Sequence, residues 1–327
     1  MDFELEPVTY RFRQPIATAY GTLTERDVLV LRLRDGDGNE GLGEAAPLEA
    51  YDGVTLEDAE AAIRAELADG PTRATTGAAL DIASIDLRSR IEGRPIAELQ
   101  TERPSMSIPV NATIAATDRA GAAREAAAAA EAGFETVKLK VGVGDDAGRV
   151  AAVRAAVGPG VAIRVDANGA WDVAQAVTAL RSLAPAGIEL CEEPVHGVAA
   201  LADVREQLDG EISIAMDETA REPDAIESGA SDFVCLKIAG CGGITRLWAA
   251  ADAARSAGSQ VYVASTYDGP IGIAAGLHAA AALGPDIPAC GLATLPLFEN
   301  VDDPFPARDG RIDAPRGPGL GITWPVG

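Results

Sequence analysis

Between about residue 104 and residue 295 the chain alternates between short β-branched runs and Ala-rich stretches. The runs are SIPVNATI (107–114), TVKLKVG (136–142), AIRVDAN (162–168), IELCEEP (188–194), ISIAMDE (212–218), FVCLKI (233–238), QVYVAST (260–266) and ACGLAT (289–294). Helical stretches such as 118–132 and 172–183 lie between them. Strands linked by helices pair in parallel, because a parallel connection needs a crossover of a dozen or more residues. Eight such runs predict an α/β fold of the parallel barrel type. An open doubly wound sheet is the alternative, but it carries a Gly-rich phosphate turn after its first strand. Here the first run continues as NATIAATD, without that turn. With 47% hydrophobic but only 4% aromatic residues, the core must be built mainly from Ala, Val, Leu and Ile.

The flanks do not repeat. Residues 1–103 begin with strand-like segments, 8–13 and 27–34, and DGDGNEG (35–41) reads as a hairpin turn. Two helical stretches follow, one after Thr55 and one after Thr76, making an α+β unit. Residues 104–295 form the barrel. The tail, 296–327, is rich in Pro and Gly and is expected to pack back on the N-terminal unit.

A net charge of -23 makes nucleic acid and anionic membranes unfavourable partners. Of the 27 basic residues only three are lysines, Lys138, Lys140 and Lys237. An acidic, Lys-poor surface suits a halophilic protein in a high-salt cytoplasm; a GC-rich genome accounts equally for the arginines. On either reading the remaining lysines are candidates for chemistry that Arg cannot do, because Arg keeps its proton. Cys191, Cys235, Cys241 and Cys290 show no CxxC spacing and read as buried free thiols in a reducing cytoplasm. The N-terminal MDFELEPVTYRFRQ lacks the apolar core of a signal peptide. The longest uncharged stretch, 269–285, is too short and too broken by Gly and Pro to span a bilayer.

A parallel barrel carries its active site at the C-terminal ends of its strands. There the second strand offers Lys138 and Lys140, the third Asp166 and Asn168, the fourth Glu192 and Glu193, the fifth Asp217 and Glu218, and the sixth Lys237. The steps from Lys140 to Asp166, Glu192, Asp217 and Lys237 are 26, 26, 25 and 20 residues, one βα unit each. Converging carboxylates repel at low dielectric unless a cation sits among them. All-oxygen ligation favours a hard divalent ion, Mg2+ first and Mn2+ next. His196 is near but reads as a solvent-facing loop residue. A Lys beside a cation and another amine is pushed toward its neutral form and can act as a base. Lysines on either side of such a site suit proton abstraction next to a carboxylate, so the expected partner is a small carboxylate substrate. Ion pairs closing the barrel mouth are the alternative. The even spacing, the shared strand ends and the gathering of every lysine argue against it.

VKLKVG, VDAN, CEEP, MDE and LKIAGCGG resemble the enolase superfamily, in the branch similar to muconate-lactonizing enzymes. RDVLVLRLRDGDGNEGLGEAAPL is similar to the N-terminal capping domain of that branch, and ALDIASIDLRSRIEGRPIAEL to the helix before its barrel. The resemblance implies a modified (β/α)7β barrel with an α+β cap and a Mg2+ site at Asp166, Glu192 and Asp217. It selects Glu192 over Glu193 as the first residue of the ExP motif. It also implies a base at Lys140 and a charge-stabilising Lys237, with Lys138 beside them. GEAAPLEAYDG and ACGLATLPLFENVDDP resemble o-succinylbenzoate synthases, which dehydrate a cyclohexadiene carboxylate in menaquinone synthesis. Dipeptide epimerases and muconate cycloisomerases share the branch. The epimerases carry a DxD motif where this chain reads CGLATLPL.

The substrate pocket is expected from the loops 15–24 and 47–53 with Asn168, Ser265, Thr266, Asp268 and Gly291. Ser265 and Thr266 precede a helix opening at Pro270, an anion seat for a second carboxylate. Ordinary capping by Thr266 or Asp268 is the alternative. Self-association into a homo-oligomer is compatible with the sequence and not specified by it.

Overall fold

The computed structural model describes residues 2–18, 21–69 and 74–325. An antiparallel sheet opens the chain: β1 (Asp2–Thr18), β2 (Gly21–Arg34) and β3 (Glu40–Ala45). The expected turn at 35–41 joins β2 to β3, with the Asp35 carboxylate accepting from the backbone N–H of Asp37 and Asn39. Helices α1 (Leu56–Asp69) and α2 (Ala74–Glu92) cover the sheet. β3 lies so close to α2 that a Cβ on Gly43 would sit 1.9 Å from the Ala79 carbonyl oxygen. That approach is why the segment reads GLGEA.

Two expectations in this unit need correction. Thr76 does not precede α2 but lies within it. The segment 15–24 is not an open loop but the tip of the β1–β2 hairpin, paired from Ile16–Leu23 to Thr18–Gly21. Ala19 and Tyr20 at that tip lie outside the described residues.

The first expected barrel strand, 107–114, also divides. Pro109 has no N–H to give to a central ladder. Ser107–Pro109 (β4) therefore turns aside and pairs antiparallel with Arg311–Asp313 of the tail, and Ala112–Ile114 (β5) starts the parallel sheet. The sheet continues through β6 (Thr136–Lys140), β7 (Ala162–Asp166), β8 (Ile188–Glu192), β9 (Ser213–Met216), β10 (Phe233–Lys237) and β11 (Gln260–Ala264), in sequence order. The eighth run, 289–294, forms bridges only. Ala264–Gly291 and Val110–Cys290 close the ring, through Ser265 N–H to Gly291 O (3.0 Å) and Asn111 N–H to Cys290 O (3.0 Å). The fold is a TIM-type α/β barrel with an antiparallel cap.

The crossover helices start where capping chemistry permits. Arg119–Glu131 is capped by Asp118, and Val173–Leu183 by a reciprocal Asp172–Gln175 box. The tail returns to the cap: Glu299 N–H reaches Arg11 O (2.8 Å) and the Trp324 indole reaches Glu6 (2.8 Å). No helix among the described residues is long and apolar enough to cross a membrane.

The helix Pro270–Ala282 is buried on every side, His278 included. That burial lowers the His278 pKa to about 4 from an ordinary 6.5. Below about pH 6.5 the unfolded chain takes up a proton that the folded chain refuses until about pH 4, so stability falls with pH across that window. The difference amounts to about 3 kcal/mol at about 1.4 kcal/mol per pKa unit. His278→Leu should flatten this part of the acid limb in urea unfolding measured from pH 7 to pH 4. Parallel wild-type and variant curves would contradict the assignment.

Candidate active site at the barrel mouth

Register sets the site. Lys140 on β6 lies opposite Asp166 on β7, which lies opposite Glu192 on β8, so the three stand at one height. Asp217 follows β9 and Lys237 ends β10. Asp166, Glu192 and Asp217 are all buried. Lys138 Nζ donates to Glu192 Oε1 (2.7 Å) and pairs with Asp166 Oδ2 (2.9 Å). Tyr262 OH donates to Glu192 Oε2 (2.5 Å), and Lys237 Nζ to Asp217 Oδ2 (2.6 Å).

The lysines divide electrostatically. Burial opposes the charge on Lys138, but Asp166 and Glu192 hold its pKa well above the ordinary value. Burial likewise opposes Lys237, and Asp217 outweighs it. Lys140 differs: burial lowers its pKa and the Lys138 ammonium adds to the effect, while Asp166 works against them. The chain thus places two fixed ammonium groups beside one amine that deprotonates more readily.

A second layer orients the first. Arg164, below the mouth, stacks 4.9 Å from the Tyr262 ring and donates to Glu189 (2.6 Å) and to the Ala289 carbonyl (2.5 Å). It therefore fixes both the tyrosine that holds Glu192 and the segment that closes the barrel. Glu193 turns away from the mouth with a left-handed φ of 41°. It accepts from the backbone of Asp217 (2.8 Å) and Thr219 (3.0 Å) and pairs with His196 Nδ1 (3.0 Å). Glu192 is accordingly the glutamate that faces the site, and the half-exposed His196 braces Glu193.

Of the expected pocket residues, Asn168, Ser265, Thr266 and Gly291 line a cavity of about 150 Å³ together with the lysines and carboxylates. Asn168 Nδ2 donates to Glu218 Oε1 (3.2 Å). Asp268 does not join them. It is buried on the cap side, accepts from Thr266 Oγ1 (2.8 Å) and faces Arg26 and Glu44. The expected anion seat ahead of Pro270 is taken as well: Gly269 N–H donates to Glu44 Oε1 (2.7 Å). The capping sheet itself supplies the carboxylate at that helix terminus, leaving Ser265 and Thr266 to an ordinary turn in which Asp268 N–H donates to Ser265 Oγ (2.9 Å).

Several site residues escaped the sequence reading. Tyr262 lies in the seventh run, QVYVAST, two positions before Ala264 and in no motif, yet strand alternation turns it to the same face as Ala264. Tyr51 was legible only as part of the 47–53 loop. Its hydroxyl meets Lys237 Nζ at 3.2 Å, and its ring lies 4.2 Å from the Arg221 guanidinium. Nothing local in the sequence signals that contact between cap and barrel.

The donor set fits a divalent ion. One oxygen each of Glu192 and Asp217 and the Cys235 sulfur lie within 4.8 Å of one another. Asp217 Oδ1 is buried without a hydrogen-bond partner. Asp166 is tied into the same cluster through Lys138.

A family profile described as "Enolase C-terminal domain-like" matches residues 121–325. The chain belongs to this family. It is 40% identical over 211 residues to an o-succinylbenzoate synthase of Thermobifida fusca, a match covering 61% of this chain and 64% of that protein. Among solved structures, a dipeptide epimerase of Methylococcus capsulatus, complexed with Mg and the dipeptide L-Arg-D-Lys, is 27% identical with a TM-score of 0.88, covering 99% of each chain. Muconate lactonizing enzyme of Pseudomonas fluorescens, complexed with muconolactone, is 27% identical with a TM-score of 0.87, covering 98% of this chain and 95% of that one. The resemblance to the enolase superfamily read from the motifs is borne out.

In this enolase-family barrel the Tyr262 hydroxyl is the donor that completes Glu192. Tyr262→Phe should lower unfolding stability by about 1.5–3 kcal/mol, the range for a hydrogen bond to a charged group. Urea unfolding within about 0.3 kcal/mol of wild type would contradict that role.

Proposed function

We propose that the chain is an o-succinylbenzoate synthase, a Mg2+-dependent carbon–oxygen lyase that dehydrates 2-succinyl-6-hydroxy-2,4-cyclohexadiene-1-carboxylate on the route to menaquinone. The 40% identity to the Thermobifida fusca synthase is the observation that carries this reading. The absence of an acidic residue from CGLATLPL (290–297), where an epimerase would hold a substrate ammonium, supports it. The free cysteines favour a reducing cytoplasm. We take residues 1–103 with the tail 296–327 as the cap and 104–295 as the catalytic barrel.

Asp166, Glu192 and Asp217 are the residues that would hold Mg2+. Bound there, the ion supplies positive charge for the substrate carboxylate and for the enediolate. Lys140, the amine whose proton is most easily lost, takes the α-proton. Lys237, across the mouth on β10, remains an ammonium and faces the developing negative charge. The Lys140 ammonium then protonates the departing hydroxyl, and water leaves as the ring becomes aromatic. One lysine acting first as base and then as acid suits elimination on a single face. Lys138 keeps Asp166 and Glu192 in place. Ser265, Thr266, Asn168 and Gly291 shape the remainder of the pocket.

The dipeptide epimerase likeness, at 99% coverage, favours a second reading, inversion of an α-carbon by Lys140 and Lys237 in turn. Turnover of the cyclohexadiene acid should be measured beside a dipeptide panel, with Mg2+ and with excess chelator. Dehydration that stops in chelator and returns with Mg2+ is expected. Epimerisation of a dipeptide without dehydration would overturn the synthase reading, and full activity in chelator would overturn the metal requirement.

A further inference from the structure

Cys235 lies beside the carboxylates and has no part in the proposed mechanism. On β10 it lies two positions before Lys237, so both side chains point into the barrel. It is buried and free of any disulfide. Its sulfur and one oxygen each of Glu192 and Asp217 form a group whose members all lie within 4.8 Å of one another. Cys191, also buried, instead contacts the Glu192 carbonyl oxygen at 3.7 Å and is outside this group. An independent observation points to a ligand: Asp217 is 4% exposed and its Oδ1 is buried with no hydrogen-bond partner. A buried carboxylate oxygen left without a donor is costly unless something binds it.

We propose that Cys235, Glu192 and Asp217 form a binding site for thiophilic divalent ions, Zn2+ and Cd2+, which shares two ligands with the Mg2+ site. The chemistry follows from ligand softness. Mg2+ takes oxygen donors and ignores sulfur, whereas Zn2+ readily takes one thiolate with two carboxylates and leaves a fourth position for water. A hard ion is held on the oxygens of Asp166, Glu192 and Asp217. A thiophilic ion settles toward β10 on the sulfur. On binding, the S–H bond breaks, its proton goes to the buffer and a sulfur–metal bond forms, with no change of oxidation state. The two ions exclude each other because Glu192 and Asp217 serve both. The enzyme is therefore inhibited by thiophilic metals, and Mg2+ relieves the inhibition. Only this competition rests on the proposed Mg2+ site; the sulfur–metal bond does not.

The test uses the full chain, stripped with chelator and titrated with cadmium chloride. The ultraviolet sulfur-to-cadmium charge-transfer absorption reports the bond, and calorimetry reports the affinity. A charge-transfer band saturating at about one Cd2+ per chain is expected. Cys235→Ser should abolish the band and weaken Cd2+ binding about 10-fold or more, and Cys191→Ser should keep the band. Excess Mg2+ should raise the apparent Cd2+ dissociation constant. Asp217→Asn provides a second arm should the serine variant fail to fold: it keeps the sulfur but should weaken Cd2+ binding about 10-fold or more. No band in the wild type, a band that survives in Cys235→Ser, or Cd2+ binding indifferent to Mg2+ or to Asp217→Asn would overturn the proposal. A band displaced by Mg2+ in a protein inactive on the cyclohexadiene acid would support this site and overturn only the synthase reading. Dehydration by a protein that shows no band would do the reverse.

Discussion

Buried negative charge at the barrel mouth is the constraint on which the rest of the structure depends. Asp166, Glu192 and Asp217 are each at most 5% exposed, and a carboxylate removed from water costs several kcal/mol unless compensated. Two of the chain's three lysines supply the compensation directly. Lys138 sits between Asp166 and Glu192, and Lys237 sits on Asp217. The barrel register sets Asp166 level with Glu192 and Lys138 level with Arg164, one step beneath, and Arg164 locks that lower layer through Tyr262 and the Ala289 carbonyl. Lys140 is left without such a close ion pair among the described residues, and burial lowers the pKa of its amine.

The cap is joined to this site by polar contacts as well as apolar packing. Arg26 on β2 donates to the carbonyls of Ala46 and Pro47 in the cap and to Thr266 at the barrel mouth. Glu44 occupies the N-terminus of the helix Pro270–Ala282, and burial together with the neighbouring Asp268 pushes its pKa up to about 8. From this fixed edge the short turn Glu49–Asp52 carries Tyr51 over Lys237, with Arg221 on the ring. The pocket is thus lined by residues of both the cap and the barrel. A shift of the cap would move Tyr51 relative to Lys237.

What the sequence disclosed, and what it concealed, follows from the range of the signals. Strand alternation and repeat spacing are local, so Lys140, Asp166, Glu192, Asp217 and Lys237 are legible in the sequence on successive strand ends. Ser107–Pro109 left the sheet because of one missing N–H, a local signal that the β-branched pattern masked. Asp268 and the helix that follows it differ from expectation for another reason. The sequence near Pro270 shows a free helix N-terminus, and nothing there indicates that Glu44, 225 residues away, fills it. Tyr51 and Cys235 belong to the same class: their neighbours are set by the closure of the barrel and the docking of the cap.

The most direct test of the account concerns the division of labour between the two lysines. Solvent deuterium incorporation at the substrate α-carbon, followed by NMR, reads proton abstraction apart from the rest of the reaction. Lys140→Ala should lose exchange altogether, and Lys140→Arg should not restore it because guanidinium cannot act as a base. Lys237→Arg keeps a positive centre and should retain measurable exchange. Exchange at the wild-type rate in Lys140→Ala, or its complete loss in Lys237→Arg alone, would contradict the assignment of Lys140 as the base.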